Sequence, residues 1–379
     1  MSKVLFITNM ANKIGSFSIA SINAAHSADI SFHMAACWNL TGNELEKLQK
    51  DFNVQLHHIN LVRSPYSLQN YKAFKQLVKV IHDEHIDYIH CNTPTGGLLG
   101  RLAGKKCKVK KVIYQAHGFH FYKGAPKKNW LLYYPVEKWL ARYTDALITI
   151  NQEDYALAKS KMKLRNGGNV YYVPGVGIDT AQYNNEPSSR EKKRIELGIP
   201  KNAVVLISVG ELNANKNNRV IISAMEQLKR DDVHYFLCGV GEMETSLRKQ
   251  ADEAGLHNNV HFLGYRNDIK ELYKMADCFV MSSFREGLSR SIMEAMASGL
   301  PCIASRIRGN TDLLENSEGG FLCDPTDISA YAEKINLLAG DAAMREAMGR
   351  NNLIAVQKFS TETVTDEIRK IYAAEFGMD

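Results

Sequence analysis

SSFREGLSRSIMEAMASGLPCIAS, residues 282–305, is the stretch that says most about the fold of this chain. It begins at the end of an apolar run typical of a buried strand and continues into a turn that contains glycine. Ser289 can cap the start of a helix, Gly299 can end one in the left-handed conformation, and Pro301 prevents its continuation. The segment therefore predicts a strand, a turn, a short helix ending near Ser298 and a second strand.

The same segment predicts a binding site. The first-turn N–H groups of a helix have no partner within the helix, and the helix dipole favours an anion there. Ser291, Ala295 and Ala297 are small enough to let the helix lie close to a sheet or a ligand. Glu294 in the helix and Glu286 in the turn would need hydrogen-bond donors, which a ribose diol and other sugar hydroxyls can supply. Taken alone, a glutamate in a helix usually lies on the surface, and the whole segment is what favours a binding site.

Short apolar runs recur along the whole chain, with helical patterns such as NYKAFKQLVKVIHDEH (70–85) between them. Strands that alternate with helices predict parallel sheets covered on both faces, and the continuously apolar runs favour the same α/β fold class. The predicted strands are residues 3–8, 29–37, 88–92, 111–117, 146–151 and 170–174, followed by 203–210, 234–239, 260–264, 278–283 and 301–305.

A chain of 379 residues is too long for one ordinary core, so two domains are expected. The polar segment DTAQYNNEPSSREKKR (179–194) marks the join. We therefore predict Rossmann-like domains at residues 1–181 and 182–361, and a C-terminal helix at about 362–379 that packs back on the first. Two doubly wound domains facing each other would place the carboxyl ends of both sheets around one cleft, where such sheets bind ligands.

Composition restricts the class of protein. Hydrophobic content of 45% with 23% charged residues is typical of a soluble globular protein. No apolar run approaches the roughly 18 residues that span a bilayer, and the opening MSKVLFITN resembles a buried strand more than an export signal. Seven dispersed cysteines without metal-binding spacing predict free thiols in a reducing cytoplasm.

Positive charge is concentrated in one segment. Residues 101–128 contain nine basic residues and no acidic one, although the net charge of the whole chain is only +6. Such a run can be a solvated face, or it can contact an anionic membrane surface or a nucleic acid. No nucleic-acid-binding module accompanies it, so we expect no nucleic-acid partner.

Several segments together resemble one enzyme family. EGLSRSIMEAMASGLP (286–301) resembles the E-x7-E signature of retaining, nucleotide-sugar-dependent glycosyltransferases of family 4, which have the GT-B fold. VLISVGELNANKN (205–217) resembles the opening of that family's donor domain, and HFLGYRNDIKELYKMADCFVMSS (261–283) resembles its middle. Residues 115–155 are similar to the bacterial subgroup that builds capsular and exopolysaccharide repeat units.

The resemblance implies roles for residues of the donor domain. Glu294 matches the glutamate that holds the ribose hydroxyls, Glu286 the one that contacts the donor sugar, and Lys216 the lysine that neutralises the diphosphate. The other matches are Gly287, Leu288 and Ser289 in the loop that meets the sugar, Arg290 and Ser291 at the helix start facing the diphosphate, Arg266 in the loop that reads the base, and Gly239 and Gly241 lining the nucleotide pocket.

The resemblance also implies roles in the first domain. A lone histidine at a strand end is more often structural, but His117 matches a family histidine beside the donor sugar. We therefore predict a catalytic set of His117, Lys216 and Glu286. His120 and Gly15 are predicted on the acceptor side.

One position departs from the family pattern. Many members have an arginine as a second phosphate contact where this chain has Glu211. Lys216 and the helix start would then carry more of the phosphate charge, with Arg219 or Arg290 as possible helpers. Which residue replaces the missing arginine stays open.

These features define the expected reaction. The chain contains no D-x-D motif, so we expect neither a metal nor another cofactor. The resemblance implies transfer, with retention of configuration, of a hexose or N-acetylhexosamine from a UDP-sugar to a saccharide on a polyprenyl diphosphate. Residues 101–128 would then meet the inner face of the plasma membrane, where the protein would be peripherally bound.

Three other functions fit the fold. A sugar-nucleotide epimerase would need acid and base carboxylates that the sequence does not reveal. A sugar phosphorylase would need a lysine for pyridoxal phosphate, and no segment resembles one. A catalytically silent nucleotide-sugar-binding subunit is suggested by Glu211.

Overall fold

The computed structural model describes residues 1–64, 67–183 and 188–377. Part of the predicted joining segment, residues 184–187, therefore lies outside the described residues, as do the last two residues of the predicted C-terminal helix. Among the described helices, none combines the length and apolar character needed to cross a bilayer.

The chain divides into two compact units. The first is Met1–Gly177 together with Thr361–Asp379, and the second is Ile178–Ser360. The α/β fold class predicted from the sequence is confirmed, because each unit has one parallel sheet flanked by helices.

The first unit is built on a seven-stranded sheet. Its strands are β1 Lys3–Ala11, β2 Ser31–Trp38, β3 Gln55–His58, β4 Tyr88–Asn92, β5 Lys111–Ala116, β6 Ala146–Thr149 and β7 Asn169–Tyr172. The helices between them are α1 Ser16–His26, α2 Gly42–Phe52, α3 Gln69–Asp83, α4 Pro94–Cys107, α5 Lys127–Leu140 and α6 Gln152–Lys161. Single 3-10 turns span Ala141–Tyr143 and Arg165–Gly167. The strand order β3-β2-β1-β4-β5-β6-β7 reverses direction between β1 and β4.

The second unit repeats this plan with six strands. They are β8 Val204–Val209, β9 Val233–Cys238, β10 Val260–Gly264, β11 Cys278–Met281, β12 Cys302–Ser305 and β13 Gly320–Cys323. Its helices are α7 Ser188–Glu196, α8 Arg219–Leu228, α9 Glu244–Glu253, α10 Ile269–Met275, α11 Arg290–Ala297, α12 Asn310–Leu314, α13 Ile328–Gly340 and α14 Ala342–Ala355. Further 3-10 turns span Thr180–Tyr183 and Val356–Phe359. The order β10-β9-β8-β11-β12-β13 reverses between β8 and β11.

Both sheets are buried on both faces, which explains the continuously apolar strands. In β1, Phe6 packs into a core on one face of the sheet and Leu5 into a core on the other. In β8, Ile207 and Leu206 divide in the same way. Successive side chains of a strand point to opposite faces, so a strand between two helix layers is apolar at most positions.

The last helix, α15 Thr361–Phe376, packs on the first unit although it follows the second in the sequence. Tyr372 is fully buried, and its hydroxyl lies 2.8 Å from Nδ1 of His90 on β4. The carboxylate of Glu375 accepts hydrogen bonds from Lys111 Nζ at 3.1 Å and from the Tyr171 hydroxyl at 2.8 Å. These buried polar contacts fix the helix across β4, β5 and β7.

Each sheet carries a histidine pair that bridges its second and third strands. His33 Nδ1 on β2 lies 3.0 Å from His57 Nε2 on β3, and the rings are stacked at 5.3 Å. His234 Nδ1 on β9 lies 3.0 Å from His261 Nε2 on β10, again with the rings 5.3 Å apart. The two units therefore place the same pair at equivalent positions, although their sequences show no repeat.

Buried histidines should make stability depend on pH. Burial is the largest cause that lowers the pKa of His33 to about 4, with His57 adding to it and Glu84 opposing it. Burial likewise lowers the pKa of His90 to about 3 and of His261 to about 4. These groups stay neutral when folded but protonate near pH 6.5 when unfolded, so stability is full above pH 6.5 and falls as the pH drops towards 4. At pH 5 we expect each of these three histidines to lower the free energy of unfolding by about 2 kcal/mol relative to its value above pH 6.5.

Tryptophan fluorescence can measure this loss in the first unit, because all three tryptophans lie there. The free energy of unfolding, measured with urea, should differ less between pH 7.5 and pH 5 for His33→Gln/His57→Gln than for the wild type. His58→Gln is the control, because His58 follows His57 on β3 but is exposed. This variant should behave like the wild type. An unchanged pH dependence in the double variant would rule out the pair as a source of the effect.

Candidate active site

The loops after β8 and β11 meet where the order of the second sheet reverses. Such a switch point is where doubly wound sheets bind ligands. Lys216 lies in the first loop and Glu286 in the second, and Lys216 Nζ lies 2.8 Å from Glu286 Oε1. Both side chains are largely buried, with 22% and 16% of their surface exposed. The tertiary structure thus joins two predicted site residues into one ion pair.

Hydrogen bonds to backbone carbonyls hold the Lys216 loop on both sides of the lysine. The N–H of Phe284 donates to the carbonyl of Asn215 at 2.8 Å. Asn217 is buried with a positive φ of 52°, and its Nδ2 donates to the carbonyl of Ser282 at 3.2 Å. Lys216 is therefore presented from a fixed loop.

Gly239 and Gly241 lie where the loop after β9 crosses the loop after β8. A Cβ at Gly239 would lie 1.9 Å from the carbonyl oxygen of Gly210, and one at Gly241 would lie 2.3 Å from that of Leu212. Close packing of two backbones accounts for both glycines. Their predicted contact with a nucleotide stays a prediction.

Helix α11 begins directly after the Glu286 turn, with the cap predicted from the sequence. Ser289 is buried, and its Oγ accepts a hydrogen bond from the Ile292 N–H at 3.3 Å. Ser291 Oγ lies 3.3 Å from Ser289 Oγ. Gly299 ends the helix with a φ of 74°. Leu288 packs its side chain against the core beneath the helix.

Glu294 is surrounded by hydrogen-bond donors. Its Oε1 accepts from Arg290 Nε at 2.8 Å, and its Oε2 accepts from the Tyr273 hydroxyl at 3.2 Å. Burial, and then the charge of Glu294, raises the pKa of both Tyr273 and Tyr183. The Glu294 side chain is only 13% exposed and lies among two tyrosine hydroxyls and one guanidinium. Tyr183 also makes a side-chain hydrogen bond to Glu294. A carboxylate has about four acceptor positions, so a diol that needs two of them would have to replace one of these three partners.

The two predicted arginines both pair with carboxylates. Arg290 binds Glu294, as described, and its side chain is about half exposed. Arg266, in the loop after β10, donates from Nε to Asp268 Oδ1 at 2.7 Å. Its side chain therefore stabilises the loop itself, and a contact with a base would come from the loop backbone. Glu211 is exposed and accepts a hydrogen bond from Asn213 Nδ2 at 3.0 Å.

The loop between β12 and α12 supports the Glu286 turn and was missed by the sequence analysis. Gly309 has a φ of 82°, and a Cβ there would lie 2.3 Å from the carbonyl oxygen of Gly287. The neighbouring Arg308 is 8% exposed, and its Nε lies 3.4 Å from the carbonyl oxygen of Glu286. The sequence signal that could have found this loop was Arg308 and Gly309, three and four residues after the predicted strand at 301–305.

Gly309→Ala should disturb this turn. A left-handed backbone costs an alanine about 1–2 kcal/mol, and the clash with Gly287 adds to that and displaces the turn. We expect a drop of several degrees in melting temperature and at least a 10-fold loss of the activity proposed below. Gly255→Ala is the matched control, because Gly255 has a φ of 71° but open space around its Cβ position. Equal losses in the two variants would contradict a role for the Gly287 contact.

In the first unit, His117 follows β5 and Asn92 ends β4. His117 Nε2 lies 2.9 Å from Asn92 Oδ1, which can only accept, so we assign the ring proton to Nε2. Burial lowers the pKa of His117 to about 4, so the ring is neutral near pH 7. Within the described residues, His117 Nδ1 and Asn92 Nδ2 are buried without a hydrogen-bond partner. The pair thus has one acceptor and one donor without a partner, and the sequence analysis had missed Asn92.

The other predicted residues of this unit have different surroundings. The His120 ring lies 4.6 Å from that of Tyr133, and its carbonyl accepts from Asn129 Nδ2 at 3.0 Å. Gly15 is the N-cap residue of α1, and a Cβ there would contact nothing within 4 Å. Phe17, two residues further on, is half exposed, and its ring lies 4.8 Å from that of His117.

No metal-binding cluster was found in the part of the chain that the structure describes. There, no group of three or more His, Cys, Asp or Glu side chains is arranged to hold an ion. All seven cysteines are free thiols, and burial raises the pKa of Cys91 and Cys238 to about 12.

Comparison with known proteins identifies the family. Residues 189–353 match the family of glycosyl transferases group 1, and residues 3–151 match the glycosyl transferase 4-like family. The putative glycosyltransferase EpsD of Bacillus subtilis (strain 168) is 40% identical, over 85% of this chain and 85% of its own length. The chain belongs to the group 1 glycosyltransferases.

Two further comparisons give a galactosyltransferase that is similar in sequence and a solved structure that is similar in fold. The Escherichia coli UDP-Gal:alpha-D-GlcNAc-diphosphoundecaprenol alpha-1,3-galactosyltransferase is 28% identical over 82% of this chain and 81% of its own. The Anabaena protein HepE, solved in complex with UDP-glucose, has a TM-score of 0.79 at 24% identity and covers 99% of this chain and 100% of its own. That likeness shows the GT-B fold.

Proposed function

We propose that this glycosyltransferase moves a hexose or N-acetylhexosamine from a UDP-sugar to a saccharide on a polyprenyl diphosphate, with retention of configuration and without a metal ion. The observation that carries the proposal is the Lys216–Glu286 ion pair at the switch point of the second sheet, beside the start of α11. The E. coli relative named for a UDP-galactose donor and a diphosphoundecaprenol acceptor supports the substrate classes.

The ion pair suggests how the donor would bind. In the structure, the ammonium of Lys216 is paired with the Glu286 carboxylate at 2.8 Å. A diphosphate would compete for Lys216, and the Glu286 carboxylate would then be available to accept hydrogen bonds from the sugar. Glu294 would hold the ribose hydroxyls by exchanging one of its present side-chain partners for the diol. The acceptor side would be the first unit, near His117.

The transfer itself requires charge stabilisation on the leaving group. The bond from the anomeric carbon to the diphosphate oxygen breaks, and a bond from the same carbon to the acceptor hydroxyl oxygen forms on the same face. The hydroxyl proton passes to the leaving diphosphate, so the products are UDP and the extended glycolipid. Lys216 and the α11 start would stabilise the charge that develops on the diphosphate. Groups already fixed in place for that charge lower the reaction barrier strongly, because they need not reorganise as the bond breaks.

NMR-monitored turnover of a panel of UDP- and GDP-sugars tests this proposal. The mixture should contain a chelator and a short prenyl-diphosphate saccharide as acceptor. We expect one UDP-sugar to be consumed only when acceptor is present, giving a new disaccharide with the donor's anomeric configuration. An inverted product, or dependence on a divalent ion, would contradict the mechanism. Binding of nucleotide sugars without turnover on any acceptor would instead favour the silent subunit.

A further inference from the structure

The outer face of α5 is apolar and exposed. Leu131, Leu132, Val136 and Trp139 are 77%, 53%, 46% and 44% exposed, and they share one side of the helix with the exposed Pro135. No other helix of the described residues carries more than two large exposed apolar side chains. A soluble protein seldom exposes such a contiguous patch unless it has a binding partner.

The inner face fixes α5 firmly to the first unit. Trp130 donates from Nε1 to the carbonyl of Tyr122 at 3.2 Å, and its ring packs against Phe121 at 5.6 Å. Glu137 binds the guanidinium of Arg101 through both oxygens, at 2.9 and 3.0 Å. The helix is thus held from one side, and its outer face does not turn inward.

Basic side chains border the outer face. Lys127 and Lys128 are exposed at its start, and Lys138 is exposed near its end. Lys105 Nζ, from α4, donates to the Tyr143 hydroxyl at 2.9 Å, and the Tyr143 ring meets that of Trp139 edge-on at 5.3 Å.

Acidic charge within this region is small. Between residues 101 and 143 the sole acidic residue is Glu137, which Arg101 neutralises. Arg101 is itself 1% exposed, so it contributes nothing to the surface charge that the sequence analysis assigned to residues 101–128.

We infer that the outer face of α5 inserts into the headgroup region of an anionic bilayer. Aliphatic side chains with a tryptophan and a lysine border are typical of helices that lie in a membrane interface. Protein interfaces, in contrast, are depleted in lysine. The inference deepens the proposed function, since it gives the enzyme contact with the membrane that would hold its lipid-linked acceptor. Insertion of leucines goes beyond the purely electrostatic contact expected from residues 101–128.

Trp139 supplies a built-in probe of the insertion. Trp38 is 4% exposed and Trp130 is partly buried, so brominated acyl chains should quench mainly Trp139. We expect quenching when the protein is mixed with phosphatidylcholine vesicles that contain phosphatidylglycerol. Leu131→Ser/Leu132→Ser should reduce partition into these vesicles about 10-fold or more, because two leucines lose their apolar contact.

A matched control exists in the second unit. Leu353 and Ile354 form an adjacent exposed pair on α14, 36% and 75% exposed, and Leu353→Ser/Ile354→Ser should bind vesicles like the wild type. Wild-type binding by the α5 double variant would overturn the inference. So would binding that disappears fully in high salt without depending on the leucines. A wild-type dimer that the α5 variant breaks, without vesicle binding, would assign the face to a second copy.

The failure of this inference can be distinguished from failure of the proposed function. Turnover with a short, soluble prenyl-diphosphate acceptor should be the same for the wild type and the α5 double variant, because these leucines lie outside the proposed site. Vesicle binding without any sugar transfer would leave the insertion standing and remove the proposed function. Transfer without vesicle binding would do the opposite.

Discussion

Lys216→Ala should lower kcat for sugar transfer by roughly 100- to 1,000-fold, with a much smaller effect on KM for the donor. The ammonium of Lys216 is a largely buried cation at the switch point, 2.8 Å from Glu286. The charge that it would offset develops on the diphosphate only as the bond breaks. An interaction that strengthens in the transition state appears in kcat more than in ground-state binding.

Steady-state kinetics of the purified variant would test this expectation. Lys249→Ala is the matched control, because Lys249 is 76% exposed and pairs with Glu253 on the surface of α9. Since the loss of Lys216 leaves Glu286 largely buried without its partner, thermal unfolding should be measured in parallel. A wild-type kcat in a folded Lys216→Ala variant would remove the lysine from the mechanism.

Glu294→Gln should weaken UDP binding by about 10- to 100-fold. The amide keeps the size of the side chain, but it replaces one acceptor oxygen with a donor and removes the charge. Both effects oppose a bidentate contact with ribose hydroxyls. The wild type should also prefer UDP over 2′-deoxy-UDP, and the variant should lose most of that preference.

Calorimetric titration with both nucleotides separates this role from a structural one. Tyr273→Phe is the control, because it removes one hydrogen bond to Glu294 at 3.2 Å and leaves the carboxylate in place. If Glu294→Gln weakened both nucleotides equally, the glutamate would act by positioning Arg290 or α11 and not by holding the ribose.

Eleven of the thirteen strands of the described residues could be predicted from the sequence, and the two that were missed are both edge strands. All eleven predicted strands overlap strands of the structure, because a strand between two helix layers is apolar at most positions. The missed strands, β3 (Gln55–His58) and β13 (Gly320–Cys323), have four residues each and lie at sheet edges. An edge strand is only partly buried and so does not require a continuous apolar run, although β7 and β10 at the other two edges were predicted from theirs.

The candidate site shows the same division. The sequence pointed to Lys216, Glu286 and Glu294 as residues of interest, and the cap at Ser289 followed from local chemistry alone. It did not show that Lys216 and Glu286 form an ion pair, because they are 70 residues apart along the chain. Nor did it reveal Asn92 beside His117, since that contact joins the ends of two different strands.

The sequence by itself determined the alternation of strands and helices, the two-unit α/β fold and the family, because these depend on local periodicity and on motifs within short segments. The tertiary structure alone decided which distant residues meet: the partners of Glu294, the turn supported at Gly309, and the exposed side of α5. Apolar periodicity shows that a residue belongs to a helix or strand, but both sides of α5 are apolar. Only packing of the inner side against Phe121 and Arg101 left the other side facing solvent.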